Sequence, residues 1–191
     1  GYSINELVAE LSVPKTTVWH HIHNVRVLPK YLPILNAKRG GNQKRMQRNL
    51  EIAQKHACSL LGGSDRELAI AAAMLYWGEG SKKKCEFINS DGKMIKSYLT
   101  MMKKVFNIPE ERIKPTMRIF SRMDREECLN YWSRITKISK NKFTVWLNDG
   151  GTRGRTKYGM CRISIKRGGD TLKSIRSIID QFSTGIASSY D

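Results

Sequence analysis

Acidic side chains are in short supply: 17 Asp and Glu stand against 34 Lys and Arg among 191 residues, a formal charge of +17. An imbalance of that size exceeds what small acidic substrates require and implies a polyanionic partner. Long apolar runs are lacking too. The longest, residues 68–78, falls far short of the roughly 20 residues that cross a bilayer, so no membrane partner is expected. No secretory leader pattern precedes it. Cys58, Cys85, Cys128 and Cys161 form no CxxC pair, and His20, His21 and His23 are not spaced with them as a zinc module requires. The thiols are expected to be reduced and mostly buried, in a cytoplasmic protein that is nucleoid-associated if the host is prokaryotic. GxSxG and the P-loop are absent, and Gly78-x-Gly80 lacks the third glycine of a dinucleotide fingerprint. The chain opens on Gly1-Tyr2 without a Met, so a trimmed tag or a missing native N-terminus is expected.

What is present is a core. Hydrophobic residues make up 40% of the composition, enough for packed units and too much for general disorder. Ser3-x-x-Glu6 has the form of a capping box, with Leu7, Val8 and Leu11 on one helical face. Val13-Pro14 ends that helix, and Pro14 can only begin the next, which carries Val18 and Ile22 inward. Residues 1–36 therefore read as a small all-α helix-turn-helix. In such a motif the second helix enters the major groove of double-stranded DNA, so its outward Lys15, Thr16, Thr17, Trp19, His20 and His23 are candidates for phosphate and base contact.

Residues 37–63 read as a basic linker and helix. The stretch NAKRGGNQKRMQR holds five Lys and Arg and no acid, and Lys38, Arg39, Lys44 and Arg45 are candidates to track a phosphate backbone. Beyond it, residues 64–191 read as α+β. Ser64-x-x-Glu67 is a second capping-box pattern before a helix over 68–80 that is apolar nearly all round and should be buried on most sides. Strands are expected over 85–89, 114–120, 143–147 and 158–166, with helices from about 93, from Asp124 and after 166. Asp91 reads as the N-cap of the first of these helices.

Two strands alternate usefully. Arg162, Ser164 and Lys166 oppose Cys161, Ile163 and Ile165, and Lys114, Thr116 and Arg118 oppose Pro115, Met117 and Ile119. One sheet face is thus expected to be cationic and to meet DNA. The loop over 148–157, with Arg153, Arg155 and Lys157, reads as a mobile basic arm beside it, and Lys82 joins the same set.

Glu79 is the acid whose placement is costly. It lies between Gly78 and Gly80 at a helix C-terminus, where the macrodipole disfavours negative charge. Either a cation such as hydrated Mg²⁺ offsets that cost, or Lys82, Lys83 and Lys84 do.

The segment MLYWGEGS resembles the signature helix of the LAGLIDADG homing endonucleases, and the likeness runs on through Phe87-Ile88-Asn89-Ser90-Asp91 into the helix that follows. The resemblance implies a LAGLIDADG-like mixed α/β domain with a basic, DNA-facing sheet. It implies a site-specific endonuclease using Mg²⁺ or another divalent ion such as Mn²⁺, with Glu79 as the catalytic, metal-holding acid and Gly78 beside it in the metal site. The alternative is a DNA-binding transcription regulator on the same fold without cleavage. No second signature acid occurs in residues 126–138, so either two chains each donate Glu79 in a homodimer, with Ala69, Ala72, Ala73 and Tyr76 at the twofold contact, or the second half has lost its active centre.

Overall fold

Ser3 and Glu6 close the first turn of α1 (Ile4–Leu11) reciprocally, the Ser3 amide donating to the Glu6 carboxylate at 2.7 Å and the Glu6 amide to the Ser3 hydroxyl at 3.4 Å. Ser12, in the left-handed region at φ 52°, ends the helix, and Pro14 with its fixed φ opens α2 (Lys15–Ile22). A single 3₁₀ turn, Pro29–Tyr31, leads to α3 (Leu32–Lys38) and the chain continues into α4 (Gly41–Gly62). Val18 and Leu35 are buried, while Val25, Leu28 and Ile34 stay exposed. Lys38 fastens α3 to the chain start, donating to the Glu6 carboxylate at 3.0 Å and the Gly1 carbonyl at 2.9 Å.

The computed structural model describes residues 1–38, 41–148 and 156–187 and forms two compact units, Gly1–Asn49 and Leu50–Asp191. The boundary falls inside α4, neither at 36/37 nor at 63/64. No proline or glycine interrupts the run between Gly41 and Gly62, and the second half of the basic stretch is helical, as expected for the helix within residues 37–63.

In the second unit α5 (Arg66–Glu79) starts without the expected cap. Asp65 occupies the N-cap position without a side-chain hydrogen bond. The Arg66 amide instead donates to the Gly63 carbonyl at 3.3 Å, and Ser64 is absorbed into the intervening turn. Then follow β1 (Glu86–Asn89), α6 (Gly92–Val105), β2 (Ile113–Phe120), α7 (Arg125–Thr136), β3 (Thr144–Asn148), β4 (Met160–Ile165) and α8 (Gly169–Ala187). Asp91 and Asp124 cap α6 and α7, their carboxylates accepting the Lys93 amide at 2.7 Å and the Glu127 amide at 2.6 Å. The architecture is α+β.

The strands form a four-stranded mixed sheet in the order β1-β4-β2-β3, with β2 and β3 parallel and the other pairs antiparallel. Between α5 and α6 there is one strand, plus an isolated bridge from Gly80 to Phe87. The covered face presents Phe87, Ile163 and Met117 to Tyr98 and Met102 of α6, Trp132 of α7 and Ile175 of α8, all buried. Phe87 stacks on Tyr98 with ring centroids 4.4 Å apart.

Helix α5 is not buried on most sides. Ala69, Ala72, Ala73 and Tyr76 sit in the core of their own chain, so they cannot make the expected twofold contact. On the opposite side, Ala71, Trp77 and Gly78 are exposed and Met74 half-buried. The small alanines let α5 lie close against its neighbours on one side only.

Candidate nucleic-acid interface

Strand register assembles the open face of the sheet in rows. Glu86, Ser164 and Lys114 lie side by side; Ile88, Arg162, Thr116 and Thr144 form the next row; Met160, Arg118 and Trp146 the third. Lys114 and Lys166 are exposed and Arg118, Arg162 and Ser164 half-buried, as alternation predicts for an uncovered face. The Arg112 guanidinium donates to the Lys166 carbonyl at 3.1 Å and the Arg167 carbonyl at 3.0 Å, which fixes the exit of β4.

Thr116 departs from expectation, being only 6% exposed. Arg162, its neighbour on β4, reaches across β2 and places its guanidinium carbon over the Trp146 ring on β3, 5.2 Å from the centroid. The span roofs Thr116, which contributes packing there and no surface. Trp146 is therefore part of the face, and its alternation with Thr144 and Asn148 was the signal that could have found it. The face also holds an acid. Ser164 donates its hydroxyl to the Glu86 carboxylate at 3.3 Å, a pairing that cross-strand register creates.

Glu79 stands at the end of α5, where a buried phenol organises the turn. The Tyr76 hydroxyl lies 2.7 Å from the Ser81 carbonyl and 2.6 Å from that of Lys84, and it accepts the Glu86 amide at 3.3 Å. Burial pushes the Tyr76 pKa up to about 12, which keeps the phenol a donor. With its ring occupying the inside of the turn, the chain swings away at Gly80 and leaves Glu79 exposed. Its Oε2 accepts from Asn89 Nδ2 at 3.4 Å. Asn89 is held by its own Oδ1, which accepts the Asp91 amide at 2.8 Å. Lys82, rather than neutralising Glu79, donates to the Trp77 carbonyl at the helix end. Among the described residues no Lys, Arg or His forms an ion pair with Glu79. Nor do the described residues contain a group of three or more His, Cys, Asp or Glu able to hold a metal.

On α2, Lys15, Thr16, Thr17, Trp19, His20 and His23 are all exposed. Trp19 stacks on His23 at 4.7 Å between centroids, and His23 Nδ1 lies 2.8 Å from the His20 carbonyl. Lys15, Trp19 and His23 also border a cavity of about 620 Å³ floored by Ile4, Ile22 and Leu35. Lys38 is engaged with Glu6 as described. Lys44 and Arg45 are exposed on α4, Arg45 donating to Asn42 Oδ1 at 3.0 Å. Lys157 is exposed with its ammonium 5.1 Å from the Tyr158 ring centroid, and hydrogen bonding to Tyr158 raises its pKa. Arg39, Arg153 and Arg155, with most of the expected basic arm, lie outside the described residues.

Fold and face together define a strongly basic α+β protein whose mixed sheet is covered on one side. Comparison with protein-family models, with curated proteins and with solved structures returns no match. No helix among the described residues is long and apolar enough to cross a membrane.

Proposed function

We propose that the protein is a divalent-metal-dependent, site-specific endonuclease of double-stranded DNA, LAGLIDADG-like in its second unit and carrying a helix-turn-helix in its first. The observation that carries the reading is Glu79. An exposed carboxylate at the negative end of a helix, without a cationic partner among the described residues, is a charge the fold alone does not explain. The open sheet face, with Lys114, Arg118, Arg162 and Lys166, supplies complementary charge for the duplex backbone. The exposed side of α2 supplies a second DNA contact.

The donor chemistry suits a hard cation. The Glu79 carboxylate and the Gly78 carbonyl are oxygen donors, and Mg²⁺ binds through one or two carboxylates together with substrate phosphate oxygens. When bound, Mg²⁺ or Mn²⁺ would supply Lewis-acid stabilisation of charge at the scissile phosphate. Asn89 steadies the carboxylate through its amide, and the Tyr76 turn fixes the backbone from which Glu79 projects.

One such acid per chain calls for two chains. The side of α5 carrying Ala71, Met74 and Gly78 is the surface for a homodimer, and a Cβ at Gly78 would meet nothing within 4 Å in its own chain. Close approach of a second helix gives that glycine a purpose which packing inside the chain does not. A second reading is a DNA-binding regulator without cleavage, which the cationic sheet face and the exposed side of α2 would serve equally. Selecting bound duplexes from a random library and incubating them with the protein in Mg²⁺ separates the two. Metal-dependent nicking or double-strand cleavage at the selected site is expected, and intact DNA on a tightly bound site leaves the regulator.

A further inference from the structure

One guanidinium of the open sheet face is held differently from the cations around it. Lys114 and Lys166 are exposed and lie toward one end of the sheet, whereas Arg162 occupies the middle row, with Ile88 on one flank and Thr116 on the other. Its guanidinium carbon rests 5.2 Å from the centre of the Trp146 ring, and Trp146 as a residue is still 48% exposed. No carboxylate among the described residues forms an ion pair with it; Glu86, in the adjacent row, accepts from Ser164.

We infer that Arg162 reads a guanine edge in the major groove, with Trp146 as its positioning residue, while Lys114, Arg118 and Lys166 bind phosphates. The inference rests on the DNA-binding reading above and assigns which residue of the face carries sequence information. Phosphates border the groove and accept from any cation within reach, so they tolerate flexible lysines. A base edge is more demanding. Guanine presents two acceptors, O6 and N7, and only a fork of donors in fixed geometry engages both. An arginine already laid over an indole loses little rotamer freedom on binding, which a free surface arginine does not avoid.

Site selection from a randomised duplex library, followed by affinity against salt on the winning site, tests this with wild type, Arg162→Lys, Trp146→Leu and Lys114→Ala. Wild type is expected to enrich a guanine whose replacement weakens binding roughly ten- to a hundredfold. Arg162→Lys keeps the charge and removes the fork, so the preference for that guanine should vanish while the salt slope stays unchanged. Trp146→Leu keeps the arginine and frees it, so the preference should fall several-fold at the same slope. Lys114→Ala should leave the selected sequence intact and lower the log–log slope by about one. The inference is overturned if Arg162→Lys retains the full guanine preference, or if wild type binds with a steep salt slope but selects no guanine; DNA binding itself survives both results. Failure to bind any duplex removes the DNA reading and this inference together.

Discussion

Gly80 lies against Tyr76 so closely that a Cβ at residue 80 would stand 2.5 Å from the Tyr76 carbonyl oxygen and 2.7 Å from its ring. The backbone there is ordinary, at φ −79° and ψ 155°, so the demand for glycine is steric and not conformational. The Gly80 amide also donates to the Tyr76 carbonyl at 2.7 Å, closing the helix end from which Glu79 projects.

The two glycines around Glu79 should respond oppositely to alanine. Gly80→Ala forces the turn off the phenol and is expected to cost roughly 1–3 kcal/mol, as overpacking does. Gly78→Ala meets open space in its own chain at a helical position, so denaturant melting of the free protein should show a gain of about 0.5–1 kcal/mol. Ultracentrifugation on DNA should nevertheless show weaker pairing of Gly78→Ala chains. Normal pairing in that variant moves the twofold contact off α5.

Glu79→Gln retains size and packing while removing the charge, so cleavage should disappear and site-specific binding should persist. Because the lost charge faced the unfavourable end of the α5 dipole, stability should rise slightly or stay level. Undiminished cleavage by the variant would take Glu79 out of the chemistry.

Replacing Lys114, Arg118 and Lys166 together by Ala should weaken duplex binding and flatten its salt dependence by about one log–log unit per lost contact. Thr116→Val at the same face should change neither, because Thr116 is buried beneath Arg162. A slope that the triple variant leaves intact places the DNA elsewhere.

The first unit should be acid-sensitive in a defined window. Hydrogen bonding from the Ser3 amide, reinforced by Lys38, lowers the Glu6 pKa from 4.5 to about 2. A depressed carboxylate contributes stability that is present above its unfolded value and lost as pH falls toward the folded one. Carboxyl NMR titration should follow Glu6 below pH 4.5 in the wild type and nearer its ordinary value in Lys38→Met.

Among the thiols, Cys58 is exposed and Cys85, Cys128 and Cys161 are buried, and none is paired. Burial pushes the Cys85 thiol up to about 11 and raises Cys128 and Cys161 as well. Brief iodoacetamide treatment of native protein, read by intact mass, should add one label, and peptide mapping should place it on Cys58.

Secondary structure was largely written in local signals. Proline at 14, the Ser3 cap, the Asp91 and Asp124 caps and the two-residue alternation of β2 and β4 act within a few residues, and each appears where those residues place it. Local signals also indicated that Arg118, Arg162 and Lys166 share a face and that Glu79 ends a helix. What only the tertiary structure decided depends on neighbours distant in sequence. Thr116 alternates like an exposed residue and is buried because an arginine from β4 crosses it to reach a tryptophan on β3. The apolar helix α5 reads as buried on most sides, yet the described residues supply partners for only one side, so Ala69, Ala72, Ala73 and Tyr76 go into the core while Ala71 and Gly78 face outward. Lys38 reads as a free cation and is drawn into the Glu6 pair, because folding α3 back toward α1 brings opposite charges 32 positions apart to 3.0 Å. Periodicity indicates which residues share a side of an element; which sides are covered depends on the packing of elements remote in sequence.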